Sequence, residues 1–113
     1  MKLVKDSIEF AELNSMAEQG FGTMVKAVVD VESGIMAVDA ELHSDQEALL
    51  LENGSSQRDL WGINLYPDVT GDDWIEFDSM INLRPASGNR SRGVDDTVVR
   101  DRIREIVTRL VQR

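Results

Sequence analysis

In the stretch MVKAVVDVESGIMAVDAELH, Met24 to His43, apolar and polar positions alternate on both sides of Ser33-Gly34. That is the period of strands with one buried face, and the pair predicts a hairpin. A two-residue loop at Ser33-Gly34 sets Val31 opposite Met36, Val29 opposite Val38, Ala27 opposite Ala40 and Val25 opposite Leu42, which makes one face wholly apolar. The other face sets Lys26 opposite Glu41. A slip of one residue would turn polar groups into the core, so the pattern specifies which residues point inward.

The stretch LWGINLYPDVTGDDWIEFDSMIN, Leu60 to Asn82, predicts a second hairpin around a loop at Pro67 to Asp73. Its apolar side pairs Leu65 with Ile75, Ile63 with Phe77 and Trp61 with Ser79. The opposite side pairs Tyr66 with Trp74, Asn64 with Glu76 and Gly62 with Asp78, and Gly62 leaves space above Asp78 because it has no side chain.

Three helices complete the pattern. Phe10 to Gln19 ends at Gly20, and a second helix opens at Ser44 with the capping-box string SDQE and ends at Asn53-Gly54. The third, Asp96 to about Gln112, carries Val99, Ile103, Ile106, Val107 and Leu110 at helical spacing, with Asp95 and Asp96 at its positive end. Arg102 and Arg109 flank one edge of that apolar stripe, Arg100 and Arg104 the other, and Asp101 and Glu105 lie on the far face. Cations split in this way suit the rim of a packing face rather than the exposed basic face of a DNA-recognition helix. The expected fold is α+β: an antiparallel sheet built from two β-hairpins with about three helices, the C-terminal one packed on the sheet.

At 113 residues and 42% apolar content, with no repeat or low-complexity run, the chain reads as a single domain, 1–113. No apolar run approaches the roughly 20 residues that cross a membrane, and MKLVKDSIEF lacks the apolar stretch of a secretory signal. With 0 Cys there is no disulfide framework or thiolate chemistry, and a cytoplasmic location is the expectation. The net charge of -9 is unevenly spread: seventeen acidic residues face four basic ones up to Leu83, and eight arginines face four acids from Arg84 onward. An acidic body of this kind repels a long polyanion, so nucleic acid is not an expected partner. A basic segment on an acidic body does suit a protein partner or self-association as a homodimer.

The strings MVKAVVDVESGIMAV, WGINLYP, EFDSMIN and GNRSRGVDD resemble a family of short bacterial domains of unknown function. The resemblance spans most of the chain and implies a freestanding small protein. It supplies no activity, cofactor or site residue.

Candidate chemistry lies in three places. His43, the single histidine, continues a strand face bearing Asp39 and Glu41. Strand positions two apart are about 7 Å apart along the backbone, and polar alternation marks any exposed strand, so no metal is assigned there. Glu76 and Asp78 share a face and in principle suit a hard cation or acid–base work, yet no catalytic or nucleotide-binding motif accompanies them, and no cofactor is expected. The loop NLRPASGNRSRGVDD places Arg84, Arg90 and Arg92 among Gly and short polar residues that favour anion-binding backbone turns. With Asn82 and Asn89 these arginines form a candidate site for a small anion. The alternative is that Arg90 or Arg92 folds onto Asp78 or Glu76, so that the body's own carboxylates are the anion. The functional reading is a noncatalytic binding or interaction module using Asn64, Glu76, Asp78, Asn82, Arg84, Asn89, Arg90 and Arg92. The alternative is an enzyme or sensor for a small phosphorylated or carboxylated ligand.

Overall fold

A computed structural model describes every residue, Met1–Arg113. The architecture is α+β, and the sheet has five antiparallel strands in the order β1 (Lys2–Val4), β4 (Ile35–Val38), β3 (Val25–Asp30), β5 (Leu60–Leu65), β6 (Ile75–Glu76). One face packs against helices α1 (Phe10–Gln19) and α3 (Thr97–Leu110). There the odd residues of β3 meet Met36, Val38, Ile63 and Leu65, together with Leu13 and Ala17 of α1 and Ile103, Ile106, Val107 and Leu110 of α3, in one buried cluster. The other face is smaller and holds Val28, Ala37 and Leu60 against Leu50 of α2 (His43–Glu52). A short parallel pair, β2 (Ile8–Glu9) with β7 (Val111–Gln112), ties the end of α3 to the start of α1.

The first hairpin keeps the predicted faces as far as Val38 but not the predicted partners, and Leu42, expected on the apolar face opposite Val25, lies beyond the strand at the start of α2 and is 56% exposed. Val29 lies opposite Met36 and Ala27 opposite Val38, a shift of two residues. The cause is the turn, which takes four residues, Val31 to Gly34. Asp30 is buried, and its Oδ1 accepts from the N–H groups of Glu32 and Ser33, both at 2.9 Å, while Oδ2 accepts from the Ser55 hydroxyl at 2.6 Å. Gly34 closes the turn with φ of 73° and an N–H bond to the Asp30 carbonyl. Arg109 donates to the Gly34 carbonyl and Arg102 to that of Val31, so α3 grips the turn from above. A shift of two preserves the strand period, which is why the apolar face survives; the expected Lys26–Glu41 pairing does not.

The second hairpin holds Asn64↔Glu76 and Leu65↔Ile75 as expected and then stops. Trp74, expected on the polar side, is buried in the main core, because a 3-10 turn at Asp72–Trp74 rotates the chain ahead of β6. Beyond Glu76 the chain leaves the sheet, and a second 3-10 turn, Met80–Asn82, folds back over β5. The space above Gly62 therefore belongs to Ser79 and Ile81 rather than to Asp78. A Cβ on Gly62 would lie 2.5 Å from both Cβ and Oγ of Ser79 and 3.2 Å from Ile81 Cγ1.

Helix α2 begins at His43, one residue before the expected Ser44, and no side chain caps it. His43 Nε2 bonds the Ile63 carbonyl at 2.7 Å and Gln46 Nε2 the Lys26 carbonyl at 2.7 Å, so the first turn is pinned to the sheet from inside and Ser44 falls within the helix. Helix α3 starts where predicted, with Asp96 capping Val98 N–H at 2.8 Å, and it ends at Leu110 because the next two residues join Ile8 and Glu9.

Gly62→Ala is expected to cost about 1 to 3 kcal/mol through overpacking against Ser79. Adding Ser79→Gly should recover most of that loss. Urea midpoints of the two single variants and the double variant check this, and additive losses would contradict the contact.

Candidate functional site

The loop from Ser79 to Asp95 is held mainly by its own asparagines. Asn82 is fully buried. Its carboxamide takes the place of a missing strand beside Gly62: Oδ1 accepts from Gly62 N–H at 2.9 Å, and Nδ2 donates to the carbonyls of Gly62 at 3.0 Å and Arg92 at 2.9 Å. Asn89 does the same for the loop itself. Its Nδ2 donates to the carbonyls of Asn82, Ser91 and Gly93, and its Oδ1 accepts from Asp95 N–H at 2.8 Å. Reciprocal backbone bonds between Arg84 and Asn89 close the base of the Pro85–Gly88 turn.

The arginines divide by task. Arg84 lies over the Trp61 ring, 4.3 Å from its centroid, and donates to the carbonyls of Arg58 at 3.1 Å, Ile81 at 3.3 Å and Leu60. Burial lowers its pKa from the usual arginine value, while nearby Glu47 and Asp59 oppose the shift. Arg92 Nε pairs with Asp78 Oδ1 at 2.8 Å, which is the expected closure of the loop onto the sheet's carboxylates. Arg90 is exposed, and only its backbone N–H is engaged, with Asp95 at 2.9 Å. The Asp95 carboxyl is held below the usual carboxylate range by the Ser91 hydroxyl and that N–H.

The loop thus does not gather Arg84, Arg90 and Arg92 around one point. What converges instead is a groove of about 470 Å³ where the first turn of α2 meets β3, β5 and β6. Of the residues singled out from sequence, Asn64, Glu76, Asp78 and Arg92 line it, while Asn82, Arg84, Asn89 and Arg90 do not. Lys26, His43, Ser44 and Tyr66 join the polar lining, and Met24, Leu42, Met80 and Ile81 supply apolar walls. Strand alternation already places Lys26, Asn64 and Tyr66 on one face, a signal for the floor. Nothing local in sequence brings Leu42 and Met80 to its mouth.

On the floor, Asn64 Nδ2 donates to Glu76 Oε1 at 2.8 Å and lies 3.4 Å from the Asp78 carbonyl, and Tyr66 donates to the same Glu76 oxygen at 3.1 Å. Asn64 is 6% exposed, and its Oδ1 is buried with no hydrogen-bond partner. His43, Asp39 and Glu41, to which no metal was assigned from sequence, do not converge: His43 turns inward to Ile63, and no three His, Asp or Glu side chains gather.

Residues 2–110 match a family model described as protein of unknown function (DUF5674). The chain belongs to that family. No curated protein and no solved structure matches it. The family's description carries no chemistry, so what the groove does rests on its own residues.

A carbonyl only accepts, so His43 Nε2 carries the proton in its bond to Ile63, and in the neutral ring Nδ1 is an acceptor. Burial is the main influence lowering the His43 pKa, opposed by the Ile63 bond and aided by Lys26. Tyr66 is shifted upward, first by burial and then by its bond to Glu76, and stays protonated at neutral pH.

Two outcomes test this geometry. Asn82→Ala leaves both polar groups of buried Gly62 without a partner and should cost about 3 kcal/mol or more, whereas Asp78→Ala breaks a pair whose side chains are 56% and 43% exposed and should cost less than about 1 kcal/mol. Denaturant midpoints should rank them in that order. For His43, the folded pKa lies below the unfolded value of 6.5, so its contribution is complete above that pH and declines as the pH falls toward the folded value. As the pH falls below 6.5 the native chain should lose stability, and His43→Gln, which keeps a donor for Ile63 and removes the titration, should lose less.

Proposed function

We propose that this protein is a noncatalytic binding module whose site is the groove between the first turn of α2 and strands β5 and β6, with Arg92 as the one arginine of the loop that reaches it. The observation that carries the reading is Asn64 Oδ1, a buried acceptor without a partner among residues lining a groove. Such an atom costs about 1 to 3 kcal/mol in isolation, so a fold that retains it gains when a ligand or partner supplies a donor.

The noncatalytic reading is supported by how the titratable groups are spent. Tyr66 donates to Glu76, Asp78 receives Arg92, and His43 directs its N–H to a backbone carbonyl. No nucleophile stands beside a free base, the arrangement that covalent and acid–base catalysis require. A sensor or enzyme for a small anion would draw on convergent free guanidinium groups, whereas Arg84 is committed to three carbonyls, Arg92 is paired through Nε, and the free guanidinium of Arg90 lies outside the groove.

Backbone amide titrations of labelled protein with small ammonium, carboxylate, phosphate and polyol probes test the reading. Saturable shifts at Asn64, Glu76, Asp78 and Met80 are expected for at least one class. Saturation confined to Ser87–Gly93 by phosphate or a dicarboxylate would instead place the site in the arginine loop.

A further inference from the structure

We infer that the surface around the start of β3 and the outer side of α2 docks a segment of a partner protein, one with apolar anchor side chains and lysines or arginines beside them. This rests on reading the groove as a binding site and names the kind of partner it takes. Two further depressions adjoin the groove. One, of about 210 Å³, shares Met24 and Lys26 with it; the other, of about 520 Å³, shares Asp39, Ala40 and Glu41 with the first and reaches Glu52. His43 lines the groove and Glu52 the far depression, so together they run the length of α2, about 14 Å at a rise of about 1.5 Å per residue. A short peptide segment spans that distance, whereas a small molecule fills one depression.

The exposed apolar side chains gather here. Of the five large ones most open to solvent, Met80, Met1, Leu42 and Phe21 line these depressions, at 64%, 58%, 56% and 49% exposure, and only Val98 lies elsewhere. Of the five methionines, Met36 is in the core and the other four line this surface. Methionine is unbranched and adapts to an apolar partner of variable shape, and apolar surface gathered in one exposed region marks protein contacts. Charge narrows the partner. The depression beside α2 carries Asp39, Glu41, Asp45 and Glu52 with no cation, and none of the four makes an ion pair. The groove at the other end holds both signs, Lys26 and Arg92 with Glu76 and Asp78, and a peptide backbone, which both donates and accepts, suits such a lining. Basic residues of the partner therefore belong over the α2 depression. A second copy across a two-fold axis would set these four carboxylates near their equivalents, and nucleic acid would bring phosphates to them, so neither fits.

Labelled full-length protein is titrated with a capped peptide of leucine, alanine and lysine while backbone amides are followed, alongside versions with glutamate for lysine and with serine for leucine. The lysine peptide should shift Phe21, Met24, Leu42 and Leu49 saturably, and each altered peptide should bind about tenfold more weakly or worse. Glu41 and Glu52 are exposed and unpaired, so Glu41→Gln with Glu52→Gln leaves the fold intact and should weaken the lysine peptide about threefold or more. Undiminished binding by that variant, or equal binding of the glutamate version, overturns the charge assignment. Equal binding of the serine version overturns the apolar anchoring. A dimer of the protein alone in sedimentation, lost in Leu42→Ser, gives the surface to a second copy and overturns the partner. Peptide shifts confined to Asn64, Glu76 and Asp78 overturn the extended surface and leave the groove standing as a site. If small probes shift the groove and no peptide does, the partner fails alone; if neither does, the binding reading falls with it.

Discussion

A strand that loses its neighbour partway along a sheet exposes a row of backbone N–H and C=O groups, and inside a protein each must find another partner. Here that happens at Gly62, where β6 has already ended, and the carboxamide of Asn82 supplies both bonds that a strand would have made. The substitution has consequences in both directions along the chain. It brings the Met80–Asn82 turn down onto β5, which requires glycine at position 62, since any Cβ there would collide with Ser79. It also fixes the Arg92 carbonyl to the same carboxamide, so the arginine loop is anchored by amides more than by charge.

The groove is a product of two incomplete coverings. Helix α2 lies on the smaller face of the sheet with an unusual inner surface: its buried residues run His43, Gln46, Leu50, polar at the start and apolar at the end. The polar end bonds strand carbonyls at Ile63 and Lys26, and only the apolar end contributes to the second core. The face of β3, β5 and β6 between that first turn and the Met80–Asn82 turn is left open, lined by the residues that strand alternation makes polar.

Most of the arginines that make the last 30 residues basic serve the protein's own backbone and rings. Arg84 covers Trp61, Arg104 lies 5.2 Å from the Phe77 ring, Arg113 covers Phe10 and Trp74, and Arg102 and Arg109 hold the β3–β4 turn. A guanidinium carries five donors in a planar fork and stacks on aromatic faces, so it can bond carbonyls from one edge while its face rests on a ring. The asymmetry of charge along the chain thus reflects how the C-terminal third is fastened down.

Sequence by itself determined the fold class, the helices and the inward faces of the strands, because periods of two and of 3.6 residues are local properties of backbone geometry and survive without knowledge of the partner. It also offered, as one of two readings of the loop, an arginine folding onto Asp78 or Glu76, and the structure selects Arg92 on Asp78. Strand register was decided only in three dimensions, because the Asp30 side chain built a four-residue turn through bonds to Glu32, Ser33 and the distant Ser55. The short strands β1, β2 and β7 exist only through their partners; two or three residues carry no readable period. The candidate site divides in the same way. Its floor follows from alternation along β3 and β5, while its walls at Leu42 and Met80, the inward turn of His43 and the unpartnered Asn64 oxygen depend on contacts between segments about 20 residues apart or more, which no local pattern encodes.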